Sequence, residues 1–423
     1  MSVPTGADVV VVGAGVIGSA IAFELARAGR DVVVVDRRGG PGHGSTSASS
    51  AIIRFNYSTW AGVALSWEAK HCWEHWREHL GAPDGEPLAH FRRTGLAMLD
   101  VDVAPKEPTL ALFDRAGVPY EVWSPAELAR RVPGIDAGRY WPPRRLDDDA
   151  FWAPPHGEIG AFFTPDAGYV DDPQLAAANL MAAAQRHGAR LLTHCDVTAV
   201  RHDGTSVAGV QLDGADEIAA SVVVNAAGPW SGAFNRLAGV GDDFTVGVRP
   251  LRQEVHKVLA PSGDLPVVAD LDLGVYTRPA PGGALLVGGT EPACDPLQWL
   301  ENPDDAAPDP TAEVFAAQVT RAARRMPDLT VPNRPAGIVG VYDVSDDWTP
   351  VYDRTALDGF YVAIGTSGNQ FKNAPVVGRL MAQLIDAPEK TEYVGEHTGL
   401  RIDLAAFSRK RPVNNASTHT VLG

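Results

Sequence analysis

The sequence predicts an α/β protein in which a discontinuous domain, built on a βαβ unit, joins a second, β-rich α+β domain. Two observations support this prediction. Residues 9–12 and 32–35 are runs of valine, and continuous β-branched runs are typical of parallel strands buried on both faces. Farther along, short apolar strands alternate with glycine turns, as in antiparallel sheets.

The first elements form a strand, a helix and a strand. Between the two valine runs, apolar residues recur at helical spacing from Ile17 to Ala28, and Gly29 follows where a helix would stop. A second helix is predicted over 60–80, where tryptophans and aliphatic residues form a stripe. Residues 101–172 are rich in proline and are interpreted as loops with a few strands that form a cap.

The elements after residue 172 are predicted from helix-start residues and from short apolar runs. Asp172 and Pro173 are typical of a helix start, and the helix they predict ends at Gly188. Short strands are then predicted in LLTH, VTAVRHD, VAGVQL and ASVVVN, a β region over 244–287, a helix over 311–326, the strand FYVAI and a helix over 375–385. The polar tail after residue 388 is expected to be loosely held.

This order of elements predicts a domain division. The first domain would combine residues 1–90, 165–243 and 336–390. The substrate or cap domain would combine 91–164 and 244–335, and residues 391–423 would form a C-terminal tail.

Composition excludes several classes of protein. The 423 residues carry a formal net charge of −16, which disfavours nucleic acid and anionic membranes as partners. The three cysteines are far apart and form no CxxC pair, so neither disulfides nor zinc are expected and a cytoplasmic location is predicted. The sequence leads us to expect no targeting signal and no membrane span. Histidines 71, 75 and 79 share one helix face, which is interpreted as solvated, so no metal site is predicted.

A glycine motif follows the first strand. Residues 13–18 read GAGVIG, and Asp36 ends the next strand. The first glycine allows a tight turn, the second lets backbone approach a pyrophosphate, and the third allows close packing, while the helix N-terminus stabilises phosphate charge. Asp36 would accept hydrogen bonds from ribose hydroxyls and argues against a 2′-phosphate. The spacing predicts a Rossmann-like dinucleotide site.

The segment after Asp36 distinguishes between dinucleotides. A domain that binds NAD normally continues with strands and helices, whereas here RRGGPGHGSTSASS follows. Short hydroxyls and free backbone N–H groups can bind a pyrophosphate or ribityl chain. Two further glycine turns, AAGPW from residue 226 and GTSG from residue 365, each follow an apolar strand.

Several segments together resemble a known family. DVVVVGAGVIGSAIAFELARAG, GSTSASSAIIRFNY, DAGYVDDPQLAAANL, VVVNAAGPWS, RPLRQEV and GTSGNQFKNAPVVGRL occur in the order seen in the D-amino-acid oxidase superfamily of FAD enzymes. The chain most resembles the branch of sarcosine oxidases and dimethylglycine dehydrogenases, over residues 8–385. The resemblance implies a discontinuous Rossmann-like FAD-binding domain and a β-rich α+β substrate domain.

The resemblance also implies a site. Arg54 and Lys372 match the residues that hold the substrate carboxylate over the flavin, Tyr342 matches a tyrosine of the same cavity, and Tyr57 and Tyr276 are further candidates for the pocket. Lys372 precedes a predicted helix, where a cation is disfavoured, and such local conflict marks functional candidates. The residues expected to bind the cofactor are Gly13, Ala14, Gly15, Val16, Ile17, Gly18, Asp36, Arg37, Gly44, Ser45, Thr46, Ser47, Asp196, Val197, Ala227, Gly228, Trp230, Gly365, Ser367, Gly368, Asn369, Gln370, Phe371 and Lys372.

Three departures from the sarcosine oxidase pattern matter. Residues 340–341 are Gly-Val where the monomeric enzymes have the cysteine that links FAD, so noncovalent FAD is expected unless His43 or another nucleophile replaces that link. Leu286 is expected at the position of a lysine that activates oxygen. Thr46 and Ser47 replace a histidine pair. Oxidase and dehydrogenase activity therefore both stay open.

The function expected is oxidation of the C–N bond of a carboxylate-bearing amine, such as a sarcosine-like N-alkyl amino acid. Hydride would pass to the flavin, giving an imine, and oxygen or another acceptor would take the electrons. The alternatives are a primary D-amino acid, a cyclic imino acid or a 2-hydroxy acid as substrate, an NAD-dependent dehydrogenase, or a flavin-binding subunit that needs partner chains. A homo-oligomer and a hetero-oligomer are both open, and residues 140–165 match nothing in the family pattern.

Overall fold

The computed structural model describes residues 3–422, and within them the chain forms nine α-helices and 23 strands. The helices are α1 Val16–Arg27, α2 Trp60–Glu74, α3 Trp76–Leu80, α4 Lys106–Ala116, α5 Pro125–Arg131, α6 Pro173–Arg186, α7 Ser231–Leu237, α8 Ala312–Arg325 and α9 Ala374–Asp386. The strands are β1 Val9–Val12, β2 Val32–Asp36, β3 Ile52–Ile53, β4 Phe91–Arg92, β5 Leu96–Leu99, β6 Glu121–Trp123, β7 Ala161–Thr164, β8 Gly168–Val170, β9 Arg190–Thr193, β10 Val197–His202, β11 Val207–Leu212, β12 Glu217–Ala219, β13 Val222–Asn225, β14 Val248–Leu259, β15 Val267–Asp270, β16 Val275–Ala280, β17 Ala284–Gly289, β18 Gln298–Trp299, β19 Gly337–Ser345, β20 Val351–Arg354, β21 Phe360–Ile364, β22 Glu392–Val394 and β23 Arg401–Asp403.

A six-stranded sheet, ordered β20-β21-β13-β1-β2-β9, contains the predicted βαβ unit. Its strands are parallel except for the edge strand β20. On one face α1 packs between α6 and α9, and the opposite face is covered by the small antiparallel sheet β10-β11-β12. The valines of β1 and β2 are buried because both faces are covered. The predicted α/β class is confirmed.

A nine-stranded, mostly antiparallel sheet forms the second layer of the molecule, in the order β18-β14-β17-β16-β15-β5-β7-β6, with β19 also paired to β14. Helix α8 packs on β14, β16 and β17. The division into domains remains a prediction, and one of its boundaries meets a difference. Strand β19, which the prediction assigns to the first domain, hydrogen-bonds along β14 of this large sheet.

Buried ion pairs fasten the end of α8 to the sheet. Arg325 is 2% exposed, and its guanidinium donates to Asp270 and Asp272 at 2.7 Å each. It also donates to the carbonyl oxygens of Asp136 and Gly138. A buried charge is tolerated when it is paired and its hydrogen bonds are satisfied, so Arg325 joins three separate segments of the chain.

The structure corrects two predictions of elements. The helix predicted over 60–80 is broken at His75, whose φ of −115° and ψ of 44° are not helical. Residues 101–172, expected to be loops with a few strands, also contain α4 and α5. No described helix is long and apolar enough to cross a membrane.

The C-terminal tail was expected to be loosely held, and this is wrong for the part described. Tyr393, Ile402 and Phe407 are buried in the core, and Val421 and Leu422 are also buried. Arg411 donates to Asp347 at 2.8 Å in a buried ion pair. The tail therefore belongs to the packed structure and reaches the site described next.

Candidate active site

An elongated cavity lies along the carboxyl ends of β1, β2 and β13. It encloses about 1440 Å³ including its open mouth. Ligands of open α/β sheets bind outside the carboxyl ends of the strands. The predicted residues that line this cavity are Gly13, Gly15, Val16, Ile17, Asp36, Arg37, Gly44, Ser45, Thr46, Asp196, Val197, Ala227, Gly228, Trp230, Gly368, Gln370, Phe371 and Tyr342.

The glycine motif shapes one wall. Gly13 has a φ of +107°, and a Cβ there would overlap the carbonyl oxygen of Ala226. A Cβ on Gly18 would overlap the carbonyl oxygen of Gly13. A Cβ on Gly15, in contrast, would meet no backbone within 4 Å and would lie 3.3 Å from the Thr46 hydroxyl oxygen. Two of the glycines are thus needed for packing, and the third leaves room for a ligand beside the start of α1.

The end of β2 is held by the backbone. The Asp36 carboxylate accepts the N–H groups of Ala14 at 2.6 Å and Arg38 at 2.7 Å. Val16 donates its N–H to the Thr46 hydroxyl oxygen at 3.1 Å. These bonds orient Asp36 at the cavity wall, and its remaining lone pairs can accept the hydroxyls of a ribose.

Cationic and aromatic groups surround the far part of the cavity. The guanidinium carbon atoms of Arg37 and Arg38 lie 5.3 and 5.6 Å from the Trp230 ring centroid. Within the described residues the buried indole Nε1 of Trp230 has no acceptor. An unsatisfied buried donor costs free energy unless a ligand or water accepts from it. A cofactor with phosphate and ribose oxygens fits these donors and cations.

The serine-rich loop, residues 45–50, connects the wall of this cavity to the nine-stranded sheet. Ser45 donates its hydroxyl to the carbonyl oxygen of Val341 at 2.5 Å, and Ser50 shares a hydrogen bond of 2.7 Å with the Tyr276 hydroxyl. The loop is thus not a free spacer. It is fixed to β19 and β16, and it passes from the first cavity to a second one.

The second cavity is smaller, about 520 Å³ including its opening. It shares Ser49, Tyr342, Gly368 and Phe371 with the first cavity, so the two meet at these residues. Its remaining walls combine polar and apolar side chains, namely Ser50, Ala51, Ile52, Arg54, Leu96, Val267, Ala269, Tyr276, Asn369, Lys372, Val421 and Leu422.

Arg54 and Lys372 are brought together in this second cavity. They are 4% and 3% exposed, and neither forms an ion pair with an acid in the described part of the chain. Arg54 donates to the carbonyl oxygens of Asn56 and, at 2.6 Å, Val421. Burial lowers the pKa of both groups, and the charge of Arg54 lowers the pKa of Lys372 further. Two unpaired buried cations attract an anion.

Tyr57 lies behind these cations and does not line either cavity. Its hydroxyl donates to the carbonyl oxygen of Asn369 at 2.7 Å and accepts from Lys372 Nζ at 2.9 Å. Both cations also lie over its ring, at 4.8 Å for Arg54 and 5.1 Å for Lys372. Tyr57 therefore positions the cations, rather than contacting the contents of the cavity.

The other two tyrosines line the cavity itself. The Tyr342 ring packs against Gly368, where a Cβ would overlap it. Burial raises the pKa of Tyr276 to about 12 and that of Tyr342 well above its ordinary value. Both hydroxyls thus stay protonated, and both side chains form walls of the second cavity.

Several predicted residues stand outside both cavities. Ala14, Gly18, Ser47, Gly365 and Ser367 line neither of them. Ser47 and Ser367 use their hydroxyls on the loop carbonyl oxygens of Gly44 and Gly365, so these residues shape the turns.

Two positions from the comparison with sarcosine oxidases also differ. His43 is exposed and lines neither cavity, which gives no support to a covalent link through it. Leu286 was expected beside the flavin, but it is half-buried on β17 and lines neither cavity. The register of β17 explains this, since Leu286 pairs with Arg278 on β16 while Gly288 pairs with Tyr276, the residue at the cavity.

Sequence reasoning missed three parts of this site. Ser50 was grouped with the cofactor loop, yet it contacts Tyr276 of the second cavity. Glu291 accepts the backbone N–H of Val421 at 2.7 Å. Val421 and Leu422 form part of the cavity wall. The apolar pair that ends the polar tail was the available signal, but its destination is visible only in the fold.

These features are those of a protein that binds an extended dinucleotide cofactor, with two buried cations in an adjoining cavity. The model for the family "FAD dependent oxidoreductase" (DAO) matches residues 8–384. The chain belongs to this family, FAD is its cofactor, and the resemblance found in the sequence is confirmed.

Individual proteins of known activity or structure are similar to this chain over most of its length. Glycine oxidase of Geobacillus kaustophilus (strain HTA426) is 27% identical over 415 residues, covering 96% of this chain and 97% of that protein. Sarcosine oxidase subunit beta of Arthrobacter sp is 25% identical, covering 89% and 86%. The crystal structure of L-proline dehydrogenase from P. horikoshii matches with a TM-score of 0.78 at 23% identity, covering 96% and 98%, and it shares the fold.

Proposed function

We propose that this enzyme oxidises the C–N bond of a small amino acid, with an N-alkyl amino acid of the sarcosine type as the preferred class. The observation that carries the proposal is the pair of buried cations, Arg54 and Lys372, without an acidic partner in the described residues, at a cavity that opens to the cofactor cavity. A carboxylate there would form two charge-assisted interactions.

The names of the relatives support the class of substrate. Glycine oxidase, sarcosine oxidase and L-proline dehydrogenase are named for small amines that carry a carboxylate. The second cavity is small, and Leu96, Val267 and Ala269 supply apolar walls. Such walls suit a methyl or methylene group better than a charged side chain.

The chemistry requires little of the protein beyond orientation. FAD, when bound, accepts a hydride from the carbon attached to the amine, which becomes an imine that water hydrolyses. Arg54 and Lys372 would hold the carboxylate, so that this carbon lies at the junction near Gly368 and Phe371. Tyr342 and Tyr276 would exclude water. If the amine binds neutral, no side-chain base is needed, and positioning provides the main contribution.

We also propose noncovalent FAD, because no cysteine lies where the two cavities meet. Cys195, which lines the first cavity, is next to Asp196 and Val197 at the far end from Lys372. The three cysteines are free thiols, which supports a cytoplasmic location. Denaturation should release all flavin into the supernatant. Flavin that stays with the precipitated chain would refute the noncovalent link.

An anaerobic reduction screen tests the function. The purified protein is mixed without oxygen with sarcosine, glycine, D-alanine, L-proline and lactate, and loss of flavin absorbance is followed. Bleaching by sarcosine or another amine, but not by lactate, supports the proposal. Bleaching by lactate alone would favour a 2-hydroxy acid, and absence of bleaching by every compound would favour a subunit that needs partner chains. Readmission of oxygen then measures whether reoxidation is fast, as in an oxidase.

A further inference from the structure

Glu291 is an acidic residue that the proposed reaction has not used. It lines a third cavity, with Gln253 and Gln318, and it reaches the substrate cavity through Val421, which lines that cavity and donates its N–H to Glu291. It follows β17 and has a φ of +50°, a left-handed conformation that is uncommon outside glycine and is enriched at functional sites. Its carboxylate accepts from Gln253 Nε2 at 3.0 Å and from the backbone N–H of Val421 at 2.7 Å. No cation pairs with it among residues 3–422. It is therefore an acid whose partners are neutral donors.

Val421 connects this acid to the carboxylate-binding cations. Its N–H donates to Glu291, and its own carbonyl oxygen accepts from Arg54 Nη2 at 2.6 Å. The N, Cα and C=O atoms of one residue are the same unit as the amine, α-carbon and carboxyl group of an α-amino acid. One residue of the tail is thus held at its nitrogen by an acid and at its carbonyl by a guanidinium.

We propose that Glu291 binds the amine of the substrate while Arg54 and Lys372 bind its carboxylate, and that Val421 mimics the substrate at this position. The inference rests on the proposed function for the role of the two cations. It deepens that function, because the substrate class becomes amines that offer an N–H to Glu291 with the carboxylate one carbon away.

The proposal has a structural consequence for the tail. Val421 and Leu422 line the substrate cavity, so a ligand that takes both contacts must displace them. Val421 lines the same cavity as Tyr276 and Tyr342. Binding of substrate and departure of residues 421–422 are therefore coupled.

The test compares two rigid acids of the same shape. Pyrrole-2-carboxylate carries a ring N–H next to its carboxylate, whereas furan-2-carboxylate has an oxygen there. Their Kd values are measured from the flavin absorbance change of the complete holoenzyme. At pH 9, above the pKa of about 8 to which burial raises Glu291, its carboxylate is ionised. Because hydrogen bonds to charged groups are the stronger ones, we expect the pyrrole acid to bind about tenfold tighter or more at this pH. Equal binding of the two acids by the native enzyme would overturn the proposal without any variant.

Variants identify the residue responsible. Glu291→Gln keeps an acceptor for Val421 but loses the charge, and we expect the preference for the pyrrole acid to fall about fivefold. Glu301→Gln, at an exposed acid, makes the same chemical change and should leave the preference unaltered. Arg54→Met should weaken both acids alike. If Arg54→Met changes neither Kd, the proposed carboxylate site fails, and this outcome is distinct from failure of Glu291.

Amide hydrogen exchange tests the mimicry by Val421. Saturation of the native holoenzyme with pyrrole-2-carboxylate should accelerate exchange in the peptide that contains residues 414–422. Protection of Val421 that is unchanged at saturation would show that the ligand and the tail do not share a position, and it would refute this part of the proposal.

Discussion

Removal of the charge at Lys372 provides a strong test of the active site, because function and stability should change in opposite directions. The substitution is Lys372→Met, which keeps the length of the side chain and deletes its ammonium group. In the native chain this group donates to Tyr57 and to the carbonyl oxygen of Asn369 at 2.9 and 2.6 Å. It has no acidic partner in the described residues.

The expected change in KM follows from these contacts. A hydrogen bond to a charged group contributes about 1.5–3 kcal/mol, which corresponds to about 10- to 150-fold in affinity. Because Arg54 remains to hold the carboxylate, we expect KM to rise about 10- to 100-fold while kcat changes little. The ligand-free protein should unfold at the same or a higher temperature, since an unpaired buried ammonium is costly and binding sites often trade stability for function.

The assay is steady-state kinetics with the best amine from the reduction screen, together with Tm measured without substrate. Lys257→Met, at an exposed lysine of β14, is the matched control and should leave KM unchanged. A KM within threefold of the native value would refute the role of Lys372 in carboxylate binding. A large fall in Tm would refute the view that its charge is a cost to the free protein.

Three further predictions concern the glycine motif of the cofactor cavity, the buried ion pairs of Arg325 and the pH dependence of stability. Gly13→Ala should abolish retention of FAD, seen as a colourless protein, because its Cβ overlaps backbone, whereas Gly232→Ala, with its nearest neighbour at 3.7 Å, should stay yellow. Arg325→Met should lower the free energy of unfolding by about 3–5 kcal/mol in urea titrations, since it leaves two buried aspartates unpaired. Arg145→Met, at a half-exposed pair, should cost under about 1 kcal/mol, and equal losses would contradict this reasoning. Burial raises the pKa of Glu291 from 4.5 to about 8, so the folded chain binds more protons between these values and its stability falls as pH rises through that window. Glu291→Gln should flatten this slope, and an unchanged slope would assign it to other groups.

Local patterns were sufficient where one element determines its own structure. The valines of β1 and β2 are buried on both faces, so their runs needed no alternation to be recognised. Gly18 must be glycine because the carbonyl oxygen of Gly13, in the same βαβ unit, leaves no space for a Cβ. Gly13 must be glycine because the carbonyl oxygen of Ala226, after the neighbouring strand β13, lies against it. Arg54 and Lys372, by contrast, are far apart in the sequence, and only the resemblance to a family placed them together.

The sequence contains a signal for helix α5, although a loop was predicted there. Helix α5 begins with Ser124 as N-cap, whose hydroxyl accepts the N–H of Glu127 at 3.2 Å, and with Pro125 in its first turn. This pattern is a standard helix start, but the surrounding prolines favoured a loop. The break at His75 has no such signal, because neither glycine nor proline is present there and the surrounding packing decides.

The tail could not have been predicted from composition. Residues 413–420 are mostly polar, and polarity predicts a solvated segment. Val421 nevertheless forms hydrogen bonds with Arg54 and Glu291. These two residues are far from it in the sequence, and they follow strands of two different sheets, β3 and β17. Contacts of this range depend on the complete fold, and the same is true of the position of Glu291.

The order of strands in the parallel sheet has a consequence for synthesis of the chain. Strand β1 lies between β2, which follows it closely, and β13, in a register that pairs Val9 with Val222. Ala226, which closes against Gly13, comes just after β13. During synthesis the first strand therefore lacks one of its two neighbours until residue 225 has emerged from the ribosome. Such long-range pairing slows folding and exposes an unpaired edge to aggregation, so FAD can act as a folding ligand only after β13 and Ala226 have been synthesised.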